Sequence, residues 1–184
     1  MIKPSLIFKI IVGGDGGVGK TTMLHRYIEG TFLFDSKMTI GADIFHKIIT
    51  LKEGPACSLQ LWDFGGQERF RIILDSFVKG AAGAFLMFDL TVYNSFNNLP
   101  KWVKIVRKDD PTIPILLLGS KYDLLDSITV DDEFARQFVE ENNISGYCKV
   151  SSKTGYNINE VFESLVSTII EYKQLTFENQ SMEV

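Results

Sequence analysis

Gly14-Asp15-Gly16-Gly17-Val18-Gly19-Lys20-Thr21 fits the pattern G-x-x-x-x-G-K-[ST] and directly follows an apolar run, residues 6–12, broken only by Lys9. Glycines at this density let successive backbone N–H groups turn inward around a polyphosphate with no Cβ in the way. A helix that begins near Lys20 aims the positive end of its dipole at the same point. Lys20 adds a cation toward the β- and γ-phosphates, and the Thr21 hydroxyl can take one position on Mg²⁺. A plain glycine-rich turn between a strand and a helix needs neither the lysine nor the threonine. Asp15, Gly16, Gly17, Val18, Gly19, Lys20, Thr21 and Thr22 are therefore candidate phosphate-binding positions.

Outward from this loop, hydrophobic patterning alternates between strands and helices. Residues 6–12 are apolar on both faces, as in a strand at the centre of a covered parallel sheet. A helix over 20–29 stops near Gly30. Residues 31–41 are polar and irregular. Strands over 42–51 and 57–62, joined by the short turn 52–56, read as antiparallel neighbours. Asp63-Phe64-Gly65-Gly66-Gln67 closes that hairpin, and a helical stretch reaches about residue 79. A buried strand over 82–88 precedes a helix over 95–108, with Leu99, Trp102, Val103 and Val106 on one side. A fifth strand over 113–119, a helix opening at Thr129 and running to 141, a short strand over 147–150 and a last helix over 158–173 complete the pattern. This is a doubly wound α/β fold: a six-stranded, mostly parallel sheet with one antiparallel strand.

The 184 residues are 45% hydrophobic with no linker-like stretch, so one domain is expected over 1–175 with a short polar tail over 176–184. The net charge of −4 and pI of 5.2 provide no basic field for nucleic acid. Lys101, Lys104, Arg107 and Lys108 are followed at once by Asp109 and Asp110 and read as a solvated helix face. Cys57 and Cys148 lack metal-ligand spacing and read as free thiols. His25 and His46 have no partner at ligand spacing, and Asp131, Asp132 and Glu133 read as charges at a helix start. No segment approaches 18 uninterrupted apolar residues, and the first twelve are too interrupted for a secretory signal, so a cytoplasmic protein is expected.

Later motifs narrow the nucleotide. An Asp at position 63, ending a strand beside the phosphate loop, can hold Mg²⁺ through water. Gly66 can offer its N–H to a γ-phosphate, and Gln67 can orient an attacking water. In Gly119-Ser120-Lys121-Tyr122-Asp123, the Asp can accept from the ring N–H and the exocyclic amine of guanine, a pair adenine lacks. The stem of Lys121 can cover the base. In Ser151-Ser152-Lys153 a backbone N–H can meet the guanine oxygen, and Lys153 can cover the other edge.

With these residues in place the chain resembles the Ras-superfamily small GTPases, most closely the Rab branch, over residues 6–173. The resemblance rests on Gly14 through Thr21, Thr39-Ile40-Gly41-Ala42-Asp43, Trp62-Asp63 with Gly66-Gln67-Glu68-Arg69-Phe70, and Phe88-Asp89-Leu90-Thr91. It implies the P-loop fold of small G-proteins and a GTP/GDP switch that hydrolyses GTP slowly without an activating protein, in Rab-like membrane traffic or related signalling. Residues 31–41 become switch I, with Phe32 against the base and Thr39 on Mg²⁺ and the γ-phosphate. Residues 64–79 become switch II. Lys20, Thr39 and Gln67 are the catalytic candidates, and Thr21, Thr39 and Asp63 the metal candidates. The resemblance further implies effector proteins reading Ile44, Trp62 and Phe77, together with an exchange factor, an activating protein and a monomeric state.

Three departures stand out. Ser120 replaces the Asn of the family's N-K-x-D motif, which implies weaker guanine affinity. Phe64 and Gly65 replace the usual Thr and Ala, and the extra glycine implies a looser start to switch II. No cysteine follows Cys148 and the tail is not polybasic, so no lipid anchor is visible and membrane contact is expected through partners or missing residues. These departures motivate a rival reading, a guanine-nucleotide-binding interaction module with little turnover. A P-loop ATPase or kinase is disfavoured by Lys121 and Asp123.

Overall fold

The structure is a computed structural model; it describes residues 4–34, 38–51, 55–66, 74 and 76–182, with side chains as far as 174. Strands β1 (Leu6–Gly13), β2 (Ala42–Thr50), β3 (Ala56–Phe64), β4 (Gly83–Asp89), β5 (Ile115–Ser120) and β6 (Gly146–Lys149) form one sheet in the order β2-β3-β1-β4-β5-β6. β2 runs antiparallel to β3, and every other pairing is parallel. This is the expected fold. The helices are α1 (Lys20–Glu29), α2 (Tyr93–Asn97), α3 (Leu99–Val106), α4 (Asp132–Glu141) and α5 (Ile158–Met182).

β1 is central because its residues are apolar on both sides: Ile10 and Val12 enter one core cluster and Ile11 the other, all fully buried. On the first face α1 and α5 close over the sheet, where Tyr27 stacks on Phe162 with ring centroids 3.6 Å apart. Burying a side chain such as Phe162 contributes about 1.5–3 kcal/mol. On the second face Leu99, Trp102 and Val106 pack with Phe64, Leu74, Val78 and Phe88. Two such layers leave the carboxyl ends of β1, β3, β4 and β5 at one edge, and the loops that follow them share one cleft.

Several boundaries differ from expectation for local reasons. The helix read over 95–108 is two helices, because Pro100 has no N–H to donate and the chain breaks at Asn98. α4 opens after Asp131, which is extended, and the N–H groups of Thr129 and Val130 before it go to the Leu90 carbonyl at 2.8 and 3.3 Å. β3 extends through Asp63 and Phe64, which pair with Asp43 and Ala42. β2 ends at Thr50 and β5 begins at Ile115, after Pro114. β6 spans Gly146–Lys149, and α5 continues past 173 to Met182. Val78 N–H donates to Leu74 O at 3.0 Å, a helical bond at the end of the stretch expected to reach 79. Gln67, Glu68, Arg69 and Phe70 lie outside the described residues, as do Lys52, Glu53 and Gly54 of the hairpin turn. Cys57 and Cys148 are free thiols. Among the described residues no helix is long and apolar enough to cross a membrane.

Candidate functional site

The cleft at the strand ends has a volume of about 840 Å³. The phosphate loop and α1 supply Gly16, Gly17, Val18, Gly19, Lys20, Thr21 and Thr22. Phe32, Met38 and Thr39 come from switch I and Gly66 from the start of switch II. Ser120, Lys121, Asp123, Ser152 and Lys153 come from the loops after β5 and β6. The candidate nucleotide and metal positions thus come together in one place, with three exceptions among the described residues. Asp15, Asp63 and Ser151 stand behind the lining. The Asp15 carboxylate accepts from Trp102 Nε1 and Asn98 Nδ2, while Ser151 donates its hydroxyl to Asp123 Oδ1 at 2.6 Å.

At the glycine-rich end, Lys20 is almost fully buried and donates to the carbonyls of Gly14 at 2.7 Å and Asp15 at 2.8 Å. Burial pulls its pKa down to about 8, against the raising influence of Asp63 and Asp15. Three metal candidates converge beside it. Thr21 Oγ1 donates to Asp63 Oδ2 at 2.5 Å, Thr39 Oγ1 reaches the same oxygen at 3.2 Å, and the two hydroxyls are 2.9 Å apart. The other oxygen, Asp63 Oδ1, is buried with no hydrogen-bond partner among the described residues. Burial raises the Asp63 pKa, opposed by the Thr21 hydroxyl, Lys20 and Thr39. A buried carboxylate oxygen lacking a partner, with two hydroxyls alongside, is a hard-oxygen donor set suited to Mg²⁺.

The two glycines after Phe64 are placed by close approach. A Cβ built on Gly65 would lie 2.6 Å from the Thr39 carbonyl oxygen, and one on Gly66 would lie 2.1 Å from the Gly16 nitrogen. Neither position has room for a side chain. Gly65 also donates its N–H to Gly41 O at 2.8 Å, and Phe64 is fully buried against Phe77. Here the start of switch II is held between switch I and the phosphate loop, in contrast to the looseness expected from an added glycine.

At the other end of the cleft, Lys121 takes the left-handed backbone conformation (φ 60°), which costs about 1–3 kcal/mol for a residue bearing a Cβ. An ion pair from its Nζ to the buried Asp89 at 2.6 Å holds it there. Asp89 in turn accepts from the N–H and hydroxyl of Thr91. Lys153 Nζ is 4.0 Å from Asp123 Oδ2. The Ser151 N–H goes to the Tyr156 carbonyl, so that amide is already committed within its own loop. The Ser120 hydroxyl points at protein backbone, 2.7 Å from Val18 O and 2.9 Å from Phe88 O.

Sequence reading missed three contributors: Asp89 under Lys121, and the Asn98 and Trp102 that take the Asp15 carboxylate. Trp102 was legible as an apolar helix position, but its N–H has a target only in three dimensions.

A doubly wound sheet with a phosphate loop, two switch segments meeting over a buried aspartate and a lysine-aspartate pair at the far end defines a small GTPase. The sequence matches the family model described as the Ras family over residues 9–171, and the chain belongs to that family. Ras-related protein Rab-7b of Homo sapiens is 41% identical over 180 residues, covering 95% of this chain and 88% of that protein. Rab-7b of Bos taurus is 43% identical over 164 residues, covering 86% and 80%. The GTP-binding protein ypt3 of Schizosaccharomyces pombe is 37% identical over 164 residues, covering 89% and 76%. The chain is thus a Rab-like GTP/GDP switch of the class that serves membrane traffic. It is a GTPase, converting GTP and water to GDP and phosphate. Proteins of this family work with effectors, exchange factors and activating proteins.

Proposed function

We propose that the nucleotide lies along the cleft with its phosphates on Gly16 through Thr22 and its base between Lys121 and Lys153. Lys20 moves its ammonium from the loop carbonyls to the β- and γ-phosphates. Thr21, Thr39 and Asp63 would hold Mg²⁺, which when bound supplies positive charge to the phosphate oxygens. Gly66 offers its N–H to the γ-phosphate, and Gln67, outside the described residues, orients the attacking water. Asp123 reads guanine by accepting from its ring N–H and exocyclic amine, the carboxylate being set by the Ser151 hydroxyl. Phe32 packs on the base.

The observation that carries this reading is the convergence of Thr21 and Thr39 on one buried Asp63 oxygen while the other has no partner among the described residues. It supports a switch I that closes on the metal and the γ-phosphate together. Effectors would read that closure through Ile44, which is 59% exposed and pairs across the strands with Trp62, and through Phe77, whose ring centroid is 5.7 Å from Trp62. The protein acts as a monomer from the cytoplasm and meets membranes through partners or through residues beyond this sequence.

The test is the nucleotide released when the purified protein is denatured, together with the effect of chelating Mg²⁺ on release from the native protein. GDP or GTP, released faster in EDTA, is the expected result. Adenine nucleotide, or release indifferent to EDTA in both wild type and Asp63→Ala, refutes the assignment.

A further inference from the structure

Asp15 places a carboxylate within a loop built to bind anions, where it opposes phosphates unless another group claims it. Two side chains claim it. Trp102 Nε1 donates to Oδ1 at 2.9 Å and Asn98 Nδ2 to Oδ2 at 2.6 Å. Asn98 stands at the break between α2 and α3 and Trp102 four residues on, so both donors fall on one side of the helix. Trp102 is fully buried, and a Cβ built on Gly13 would lie 3.1 Å from its ring, so the indole is wedged against the strand end that feeds the loop. The Asp15 carbonyl meanwhile accepts from Lys20 Nζ at 2.8 Å. One residue thus has its charge fixed by the helices and its peptide oxygen paired with the phosphate-binding lysine.

We propose that Asp15, Asn98 and Trp102 form a positioning clamp for the phosphate loop. The helices hold the carboxylate behind the cleft lining. The same contact fixes the Asp15 peptide in the orientation on which Lys20 and the loop amides depend. The clamp rests on reading the cleft as a guanine-nucleotide site, and it acts at the phosphate end. The base is held by the loops after β5 and β6, whereas the hydrogen bonds of the clamp run between the phosphate loop and the α2–α3 segment. Its loss therefore weakens polyphosphate binding and leaves base recognition in place.

Trp102→Phe keeps most of the ring and removes the N–H, and Asn98→Ala removes the other donor from a half-buried position. Each should quicken GDP release on the order of tenfold, as losing a hydrogen bond to a charged group implies. The preference for GDP over GMP should fall by a similar factor, and the preference for GDP over ADP should stay. In the Asp15→Ala background, Trp102→Phe should add little further effect, because its partner has gone. Additive effects in this cycle, GMP binding weakened as much as GDP binding, or unchanged release in both single variants would each overturn the clamp. If Trp102→Phe does not melt as a folded protein, Asn98→Ala and Asp15→Ala with their double variant decide the matter. Wild-type protein that retains no guanine nucleotide would instead refute the nucleotide reading, so the two failures are distinct.

Discussion

Replacing Ser120 by Asn should slow GDP release several-fold without altering the preference for guanine. The Ser120 hydroxyl has one proton and two carbonyls within reach, Val18 O at 2.7 Å and Phe88 O at 2.9 Å, so it satisfies one acceptor at a time. It is 3% exposed yet borders the cleft, so a longer side chain has somewhere to go. An Asn can keep one N–H on the Val18 carbonyl and still present an amide oxygen or a second N–H toward the base. One added neutral hydrogen bond contributes about 0.5–1.5 kcal/mol, a factor of roughly 2 to 13 in dissociation. Selectivity stays with Asp123, whose charge-assisted bonds are the stronger ones. Release of a fluorescent GDP analogue from wild type, Ser120→Asn and Asp123→Ala decides the point, with Asp123→Ala losing the preference for guanine over adenine. An unchanged or faster rate in Ser120→Asn refutes the reasoning, since the hydroxyl or a water beside it would then already supply what the amide adds.

Gly65→Ala should weaken binding of a non-hydrolysable GTP analogue several-fold relative to GDP, because the new Cβ would stand 2.6 Å from the Thr39 carbonyl and push switch I off its closed position; an unchanged ratio in competition titrations counts against the close-approach argument. Intrinsic hydrolysis should be slow and slower still in Gln67→Leu, and an arginine supplied in trans by an activating protein is worth on the order of 10³ to 10⁵ in rate; fast single-turnover phosphate release indifferent to this substitution would remove Gln67 from the water-positioning role. Because burial holds Lys20 near 8 and phosphates favour its charged form, nucleotide binding should take up a proton above that pH. Affinity for GDP should then fall as pH rises through about 8 to 10, by at most tenfold per unit, and titrations showing affinity flat across that range would contradict the assignment.

The residues that meet in the cleft were legible in the sequence because inward backbone amides, a cation and a hydroxyl at fixed spacing suit a phosphate, and an aspartate in the loop after a strand suits guanine. Strand and helix types were legible because the central strands are apolar on both faces and the helices on one. Boundaries failed where a local preference met a tertiary one. Pro100 is tolerated in the first turn of a helix, so the apolar period runs across Asn98 although the chain breaks there. Asp63 reads as a strand end because it is charged, yet it continues the ladder with Val12 and Asp43. Thr129 is a good helix opener, but the Leu90 carbonyl ties Thr129 and Val130 to the end of β4, and the helix opens after Asp131. The partners of Asp15 were out of reach altogether, since Asn98 and Trp102 stand 83 and 87 positions away and only the packing of α3 beside β1 brings them to the loop.

Gly65 and Ser120 depart from the family's residues in the same direction, toward smaller side chains, and on sequence grounds both imply a weaker site. Their surroundings separate them. At Ser120 the smaller group loses hydrogen-bonding capacity, because a buried position with two carbonyl acceptors receives a single donor. At Gly65 the missing Cβ is what allows the Thr39 carbonyl to come close and the Gly65 amide to reach Gly41. The conformational freedom of a glycine costs about 0.5–1 kcal/mol on folding relative to alanine. One backbone hydrogen bond contributes a comparable 0.5–1.5 kcal/mol, so Gly65 is close to neutral for stability while bringing the two switches together. The effect of shrinking a side chain thus follows from what stands opposite it: at Ser120 two carbonyls facing a single hydroxyl proton, and at Gly65 a backbone that could not otherwise approach.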